Sequence, residues 1–254
     1  MFTNNFDPVA FEIFSLEIRW YSLAYILGIS LGWLYCKKKL IKDQKTLNIF
    51  DDYITYIIIG IILGGRIGYA IFYNLEYYLE SPIEILMVWN GGMSFHGGLI
   101  GVIVASKFFS IKHKTNQFIF LDLVALSAPI GIFFGRIANF INSELYGRVA
   151  DIPWSVQYTL IDDIKRHPSQ LYEAFLEGII LFFILNYFFK KNYLKKPGQI
   201  SALFLIFYSL FRFFVEYFRS PDPQIGFLML NLTLGQLISA VFLIIGMLLF
   251  SIKK

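Results

Sequence analysis

Seven stretches of this chain are apolar for about 20 residues each, the length a helix needs to cross about 30 Å of hydrocarbon. They run approximately Trp20–Cys36, Tyr53–Tyr73, Ser94–Ile111, Phe118–Phe140, Leu171–Phe189, Ile200–Phe218 and Leu234–Ile252. Lipid cannot hydrogen-bond to a backbone, so a segment that crosses it must be a helix or part of a closed barrel. The strict alternation of a lipid-facing barrel strand is absent. The sequence therefore predicts an all-α integral membrane protein with seven transmembrane helices, residues 1–254 forming one multi-pass domain.

Composition excludes the soluble alternative. Hydrophobic residues make up 57% of the chain and charged residues 16%, against about 45–50% and about 25% in soluble domains. A single cysteine, Cys36, rules out a disulfide framework and a cysteine metal cluster. The segment from Met1 to Arg19 is polar and acidic and does not read as a cleaved signal peptide. The net charge of +4 shows no nucleic-acid-binding pattern, but its placement orients the chain. Lys37, Lys38, Lys39, Lys42 and Lys45 follow the first stretch, and Lys112 and Lys114 follow the third. Lys190, Lys191, Lys195 and Lys196 follow the fifth, and Lys253 and Lys254 the seventh. All four clusters fall on one side, which positive-inside bias makes cytoplasmic, with the N-terminus outside. The outer loop around 142–170 is then long enough for a small extracytoplasmic cap or for a disordered loop, and Trp154 and Tyr158 favour the folded cap.

Three arginines, Arg66, Arg136 and Arg212, lie inside the apolar stretches. Each costs about 2.5–3.5 kcal/mol at a span centre, so such residues are normally paired, buried and functional. Counted from the outer ends of their stretches, all three sit within roughly 10 Å of the outer boundary, at a level shared with His96, His167 and Tyr21. Guanidinium groups there suit a phosphate, whose oxygens they match bidentately. Two plainer readings stand beside this one. Arg212 can pair with Glu216 one turn on, and long side chains can snorkel independently to the headgroups. The glycines at Gly64-Gly65, Gly97-Gly98 and Gly135 serve close helix packing or leave room for a lipid.

Several strings go further. They are Arg19-Trp-Tyr21, Gly64-Gly-Arg-Ile-Gly-Tyr69, His96-Gly-Gly-Leu-Ile-Gly101, Gly135-Arg-Ile-Ala-Asn-Phe-Ile-Asn-Ser-Glu-Leu-Tyr-Gly-Arg148, Arg166-His-Pro-Ser-Gln-Leu-Tyr-Glu173 and Phe211-Arg-Phe-Phe-Val-Glu-Tyr-Phe-Arg219. Together, in order and over essentially the whole chain, they resemble the prolipoprotein diacylglyceryl transferases of bacterial plasma membranes. The family's usual Gly-Arg-x-Gly-Asn-Phe has Ala138 at its second glycine here, which adds a methyl and removes no chemistry.

The resemblance implies two substrates, phosphatidylglycerol and a prolipoprotein signal peptide with a lipobox cysteine. It implies a thioether formed at a glycerol carbon, and a site in the outer leaflet of the plasma (inner) membrane. It implies Arg136 as the phosphatidylglycerol-binding residue and Arg212 as an essential partner facing the same phosphate, with Arg66 in the same set. Asn139, Asn142, Glu144 and Gly147 are expected to shape the headgroup site. The thiol must lose its proton, because the thiolate is the nucleophile. His96, with an ordinary pKa near 6.5, is the favoured base, and Tyr21 is the alternative. His167 is expected to orient the outer loop, and His113, beside Lys112 and Lys114, to be solvated surface. Cys36 lies at the opposite end of its stretch and is excluded as nucleophile. No cofactor or metal is expected.

Rival readings are weaker. A lipid transporter would want polar groups through the inner halves of the spans, which here look nearly uncharged. A serine protease would need a nucleophile and base in reach, but Ser94 and His96 point to different faces of a helix. A structural scaffold gives no reason for three outer-leaflet arginines.

Overall fold

The computed structural model describes residues 2–14, 16–192, 196–221, 226–228 and 231–253, so Lys195 and Lys254 of the basic clusters lie outside the described residues. The chain is predominantly helical and divides into two compact units, one of residues 1–36 and 122–254, the other of residues 37–121.

In the larger unit, β1 (Phe2–Asn4), β2 (Val9–Ile13) and β3 (Leu16–Arg19) lead into helix α1 (Trp20–Tyr35). Helix α5 (Gln117–Ile141), most of which belongs to this unit, is followed by β4 (Val156–Tyr158) and β5 (Lys165–Arg166). Next comes a continuous rod, Ser169–Lys190, in which α6 (Ser169–Glu173) passes through π-helical Ala174–Ile180 into α7 (Leu181–Lys190). Helices α8 (Gln199–Val215) and α9 (Leu234–Ile252) complete the unit. Asp122 is buried. It accepts hydrogen bonds from Gly198 N and Ser201 N (both 2.7 Å) and from Ser201 Oγ (2.6 Å), so a carboxylate on α5 satisfies the unpaired amides that open α8. Thr233 and Gln236 form a capping box that starts α9.

The smaller unit holds α2 (Gln44–Tyr73), α3 (Leu75–Glu80), two short 3₁₀ turns at Pro82–Leu86 and Val88–Asn90, and α4 (Phe95–His113). Asp43 caps α2 by accepting from Thr46 N at 2.7 Å. Helix α2 starts nine residues before its apolar stretch because a capped, polar helical turn needs no lipid, and hydropathy alone does not register it. The α2–α4 contact runs along small residues. A Cβ on Gly101 would overlap the Gly60 carbonyl, one on Gly64 the Gly97 carbonyl, and one on Gly68 would meet Gly97 Cα at 2.7 Å. An aromatic cluster closes the other end. Tyr53 lies 5.0 Å from Phe109 and 4.8 Å from Phe120 between ring centroids, and the Tyr53 hydroxyl shares a 2.9 Å hydrogen bond with Ser106 Oγ. His113 stacks on Phe109 at 4.3 Å, so it is half-buried rather than the fully solvated side chain expected.

Each of the seven apolar stretches is helical over most of its length among the described residues. Four of the helical segments, Gln44–Tyr73, Gln117–Ile141, Ser169–Lys190 and Leu234–Ile252, are long and apolar enough to cross a membrane. Their most apolar windows are only 17–33% buried. Ile59, Leu63, Ile67, Phe183, Ile244 and Leu248 are among the many large apolar side chains left exposed. A water-soluble monomer does not expose so much contiguous apolar surface, so these faces belong against lipid.

The 142–170 segment is folded. β4 pairs in parallel with β1 and antiparallel with β5, in the sheet order β1-β4-β5. Phe140, Val156 and Tyr158 form its small core, with Tyr146 and Leu171 packed on them. The contribution of the N-terminal strand was not legible in the sequence. It is held by buried Asn4, whose Nδ2 donates to the Phe140 carbonyl at 2.6 Å.

Candidate functional site

Glu173 is the hub of the larger unit. It closes α6 and is fully buried. Its Oε2 lies 2.7 Å from Nε of Arg136 on α5. Its Oε1 pairs with Arg212 on α8 and lies 3.3 Å from Nη1 of Arg219. Glu177, four residues on within the π-helical segment and also fully buried, stands 3.4 Å from Nη2 of Arg136 and 3.9 Å from Nη1 of Arg212. Arg212 also takes the i+4 partner expected from the sequence, Glu216, at 2.8 Å. Three arginines and three glutamates thus form one network whose formal charges balance. An unpaired charge in such surroundings would be strongly destabilising, whereas a closed network is tolerated. The balance still leaves capacity for a ligand. Among the described residues Nη1 of Arg136 has no partner, and the side chains of Arg136 and Arg212 keep 17% and 13% exposure. A π-helical turn is a common device for re-aiming side chains at functional sites, and here it carries Glu177.

The signature segment after α5 fastens the cap to this network. Asn139 is buried and donates from Nδ2 to Glu144 Oε2 at 3.2 Å, while Glu144 N donates to the Asn139 carbonyl at 2.9 Å. Asn142 places its Oδ1 in a buried position with no partner among the described residues. Gly147 allows a close backbone crossing. Its N–H donates to the His167 carbonyl at 3.0 Å, and a Cβ there would strike His167. Arg148 donates from Nε to the Arg219 carbonyl at 2.9 Å and from Nη2 to the Glu216 carbonyl at 3.3 Å, tying the segment to the end of α8. His167 pairs through its backbone with Gly147 and Arg148, and its Nδ1 lies 3.2 Å from the Tyr172 hydroxyl. Burial lowers its pKa. At the edge of the cap, the hydrogen bond from Arg166 holds the Asp162 carboxyl below the ordinary carboxylate range. Tyr21, at the start of α1, packs its ring 5.2 Å from Tyr25.

Arg66 and His96 belong to the smaller unit. The expectation that Arg66 helps bind phosphate does not fit its surroundings. It is buried, and its guanidinium donates to the carbonyls of Glu84, Ile85, Met87, Gly91 and Gly92. A guanidinium has five N–H donors, so none remains for a phosphate. Arg66 pins the 84–92 loop instead. His96 is half-buried in the first turn of α4, which Ser94 caps by accepting from Gly97 N at 3.2 Å. Ser94 thus serves as the helix cap. Cys36 is buried and points its Sγ at the Leu123 carbonyl, 3.6 Å away.

Sequence reading missed Glu173, Glu177 and Arg219 as site residues. The signal was present, because the burial cost that singled out the arginines applies equally to two carboxylates four residues apart in an apolar stretch.

Exposed apolar helix faces and a buried network of arginines and glutamates define an integral membrane protein. Comparison with known proteins narrows this. The profile of the prolipoprotein diacylglyceryl transferase family matches residues 8–252. The phosphatidylglycerol–prolipoprotein diacylglyceryl transferase of Rickettsia bellii is 52% identical over 245 residues, 95% of this chain and 93% of its own. That of Rickettsia typhi is 50% identical over 249 residues, 97% and 96% of the two chains. That of Azospirillum brasilense is 49% identical over 245 residues, 94% and 91%. The chain belongs to the prolipoprotein diacylglyceryl transferase family.

Proposed function

We propose that this protein transfers the sn-1,2-diacylglyceryl group of phosphatidylglycerol to the lipobox cysteine of prolipoproteins, the first step of bacterial lipoprotein maturation. The observation that carries this reading is family membership over nearly the whole chain, at about half identity to relatives bearing that name. The network around Glu173 supports it, because it holds two guanidinium groups, Arg136 and Arg212, on one carboxylate.

In the proposed reaction the cysteine thiolate attacks the glycerol carbon that bears the phosphate. A carbon–sulfur bond forms and the carbon–oxygen bond breaks, its electrons leaving with glycerol phosphate. Arg136 and Arg212 hold that phosphate and stabilise the charge that develops on it. Asn139, Asn142 and Glu144 shape the headgroup pocket, and Gly147 sets the backbone crossing that keeps them in place. His96 accepts the thiol proton, with Tyr21 as the alternative base. Arg66 serves by fixing its loop. The protein crosses the inner membrane seven times with its N-terminus outside, so that the 142–170 cap and the arginine network lie toward the outer leaflet.

The test is a mass shift. Purified protein in detergent is incubated with phosphatidylglycerol and a peptide carrying one lipobox cysteine, with a Cys→Ser peptide as control. A gain of one diacylglyceryl group on the cysteine peptide alone, with release of glycerol phosphate, is the expected result. The same assay is expected to show no turnover by Arg136→Ala, and at least about a 100-fold loss for His96→Asn if His96 is the general base. No adduct from folded wild-type protein overturns the transferase reading.

A further inference from the structure

On the lipid-facing side of the larger unit, α5, the π-helical segment and the start of α7 border an open groove of about 210 Å³ lined by Pro129, Ile130, Phe133, Ile179, Phe182 and Phe183. Two features of the backbone lie along it. Pro129 lies inside α5 and cannot complete the helical hydrogen-bond ladder there. Gly178 brings the two helices together, since a Cβ on it would lie 2.8 Å from Phe133 Cβ. Ile179 and Phe183 are exposed at the rim of the groove.

The position of this groove says what fills it. Phe133 precedes Arg136 by one helical turn on the same face of α5. Gly178 directly follows Glu177, which stands 3.4 Å from Arg136. The groove therefore begins where the arginine network ends, and at 1.5 Å per residue Pro129 lies roughly 10 Å further along the α5 axis. A cationic end followed by an apolar trough matches an amphiphile with an anionic head and a hydrocarbon tail. We propose that the groove holds one acyl chain of the phosphatidylglycerol whose phosphate Arg136 and Arg212 bind. This rests on the transferase reading and deepens it. In that reaction the phosphate departs and the diacylglyceryl group is retained, so a site that grips the chain beside the phosphate clamp holds the reacting carbon steady while its bond to oxygen breaks.

The groove makes chain length a determinant of rate. Ile130→Trp and Phe183→Trp fill the trough without touching the arginine network. Each is expected to lower kcat/KM for dioleoyl phosphatidylglycerol about tenfold, the effect of displacing about two methylenes from an apolar site. Turnover of dioctanoyl phosphatidylglycerol, measured with the same peptide above its detergent-corrected KM, should change less than about twofold, because a short chain gives up little contact there. A second measurement needs no variant. Phosphatidylglycerol with a diazirine in one acyl chain should label Ile179–Phe183 of the wild-type protein, and unlabelled phosphatidylglycerol should compete, whereas phosphatidylethanolamine should not. Equal losses on both lipids, or no loss on either, overturn the proposal, as does labelling that any phospholipid displaces, which would mark the groove as a site for bystander lipid. A wild-type protein that modifies no peptide with either lipid overturns the transferase reading and this proposal with it.

Discussion

The guanidinium of Arg66 gives all five of its donors to the carbonyls of a single loop, while Arg136 shares carboxylates with Arg212 and retains a free edge. In the sequence the two look alike, each an arginine beside a glycine inside an apolar stretch. Burial cost identifies both as unusual but cannot say whether carbonyls, carboxylates or a ligand compensates it, because the partners come from loops and helices distant along the chain. The difference is testable at this scale. Arg66→Ala leaves five carbonyls without their donor, and each that stays buried and unpaired costs about 1–3 kcal/mol. The variant is expected to lose about 3 kcal/mol or more of stability, read as a lower melting temperature in detergent. Arg66→Lys supplies three donors in place of five and should recover only part of it. Were Arg66 a phosphate ligand instead, alanine would leave the melting temperature unchanged and lysine would restore activity. The same limit explains why Glu216 was legible and Glu173 was not. Glu216 sits one turn from Arg212 on one helix, whereas Glu173 meets its arginines only once α5, α6 and α8 are packed.

The glycines divide at the level of elements in a way that sequence alone leaves open. Gly60, Gly64 and Gly68 on α2 face Gly97 and Gly101 on α4 so closely that a methyl group on Gly101 would overlap backbone. An added Cβ at Gly135, beside Arg136, would meet nothing within 4 Å. Gly101→Ala is therefore expected to destabilise by about 1–3 kcal/mol, the usual cost of overpacking. Gly135→Ala should be neutral or stabilising by up to about 1 kcal/mol through helix propensity. If Gly135→Ala keeps its melting temperature yet loses turnover, the open space beside Arg136 is occupied by substrate. The cap has its own signature, in pH. Asp162 is shifted down by Arg166, so the pair's contribution is complete above the unfolded value near 3.9 and is lost as pH falls through the lower folded value. His167 is shifted down by burial, so below about 6.5 the unfolded chain takes up a proton that the folded cap resists. Both act in the same direction. The cap is expected to loosen on acidification in two steps, one beginning near pH 6.5 and one below about 4. Fluorescence of Trp154, which donates to the Tyr172 hydroxyl at 2.8 Å, in a variant whose other tryptophans are Phe, should report both. His167→Gln should remove the first step only.

For the whole molecule, the sequence made the helices legible because hydrocarbon imposes length and apolarity on every segment that crosses it. It did not reveal the N-terminal strands or the polar start of α2, which form without a long apolar run. The proposed orientation depends on charge placement, a property that fold geometry does not register, so it needs a test of its own. Cys36 is 2% exposed and is the sole cysteine, so Cys36→Ser gives a clean background for single-cysteine variants. Lys42 and Lys112 lie in the basic segments and are exposed, as are Asp151 and Leu160 in the cap. A membrane-impermeant maleimide applied to spheroplasts is expected to label Asp151→Cys and Leu160→Cys at once, and Lys42→Cys and Lys112→Cys only after the membrane is opened. Free energy sets the sense of this pattern, because each lysine near the anionic cytoplasmic surface gains about 1 kcal/mol and the four clusters act together. The opposite pattern would place the arginine network toward the cytoplasmic leaflet and supply it with lipid from that side. Labelling of all four positions on one side would mean an even number of crossings between Lys112 and Asp151, where the proposed topology has one, and would remove the basis for assigning the network to the outer leaflet.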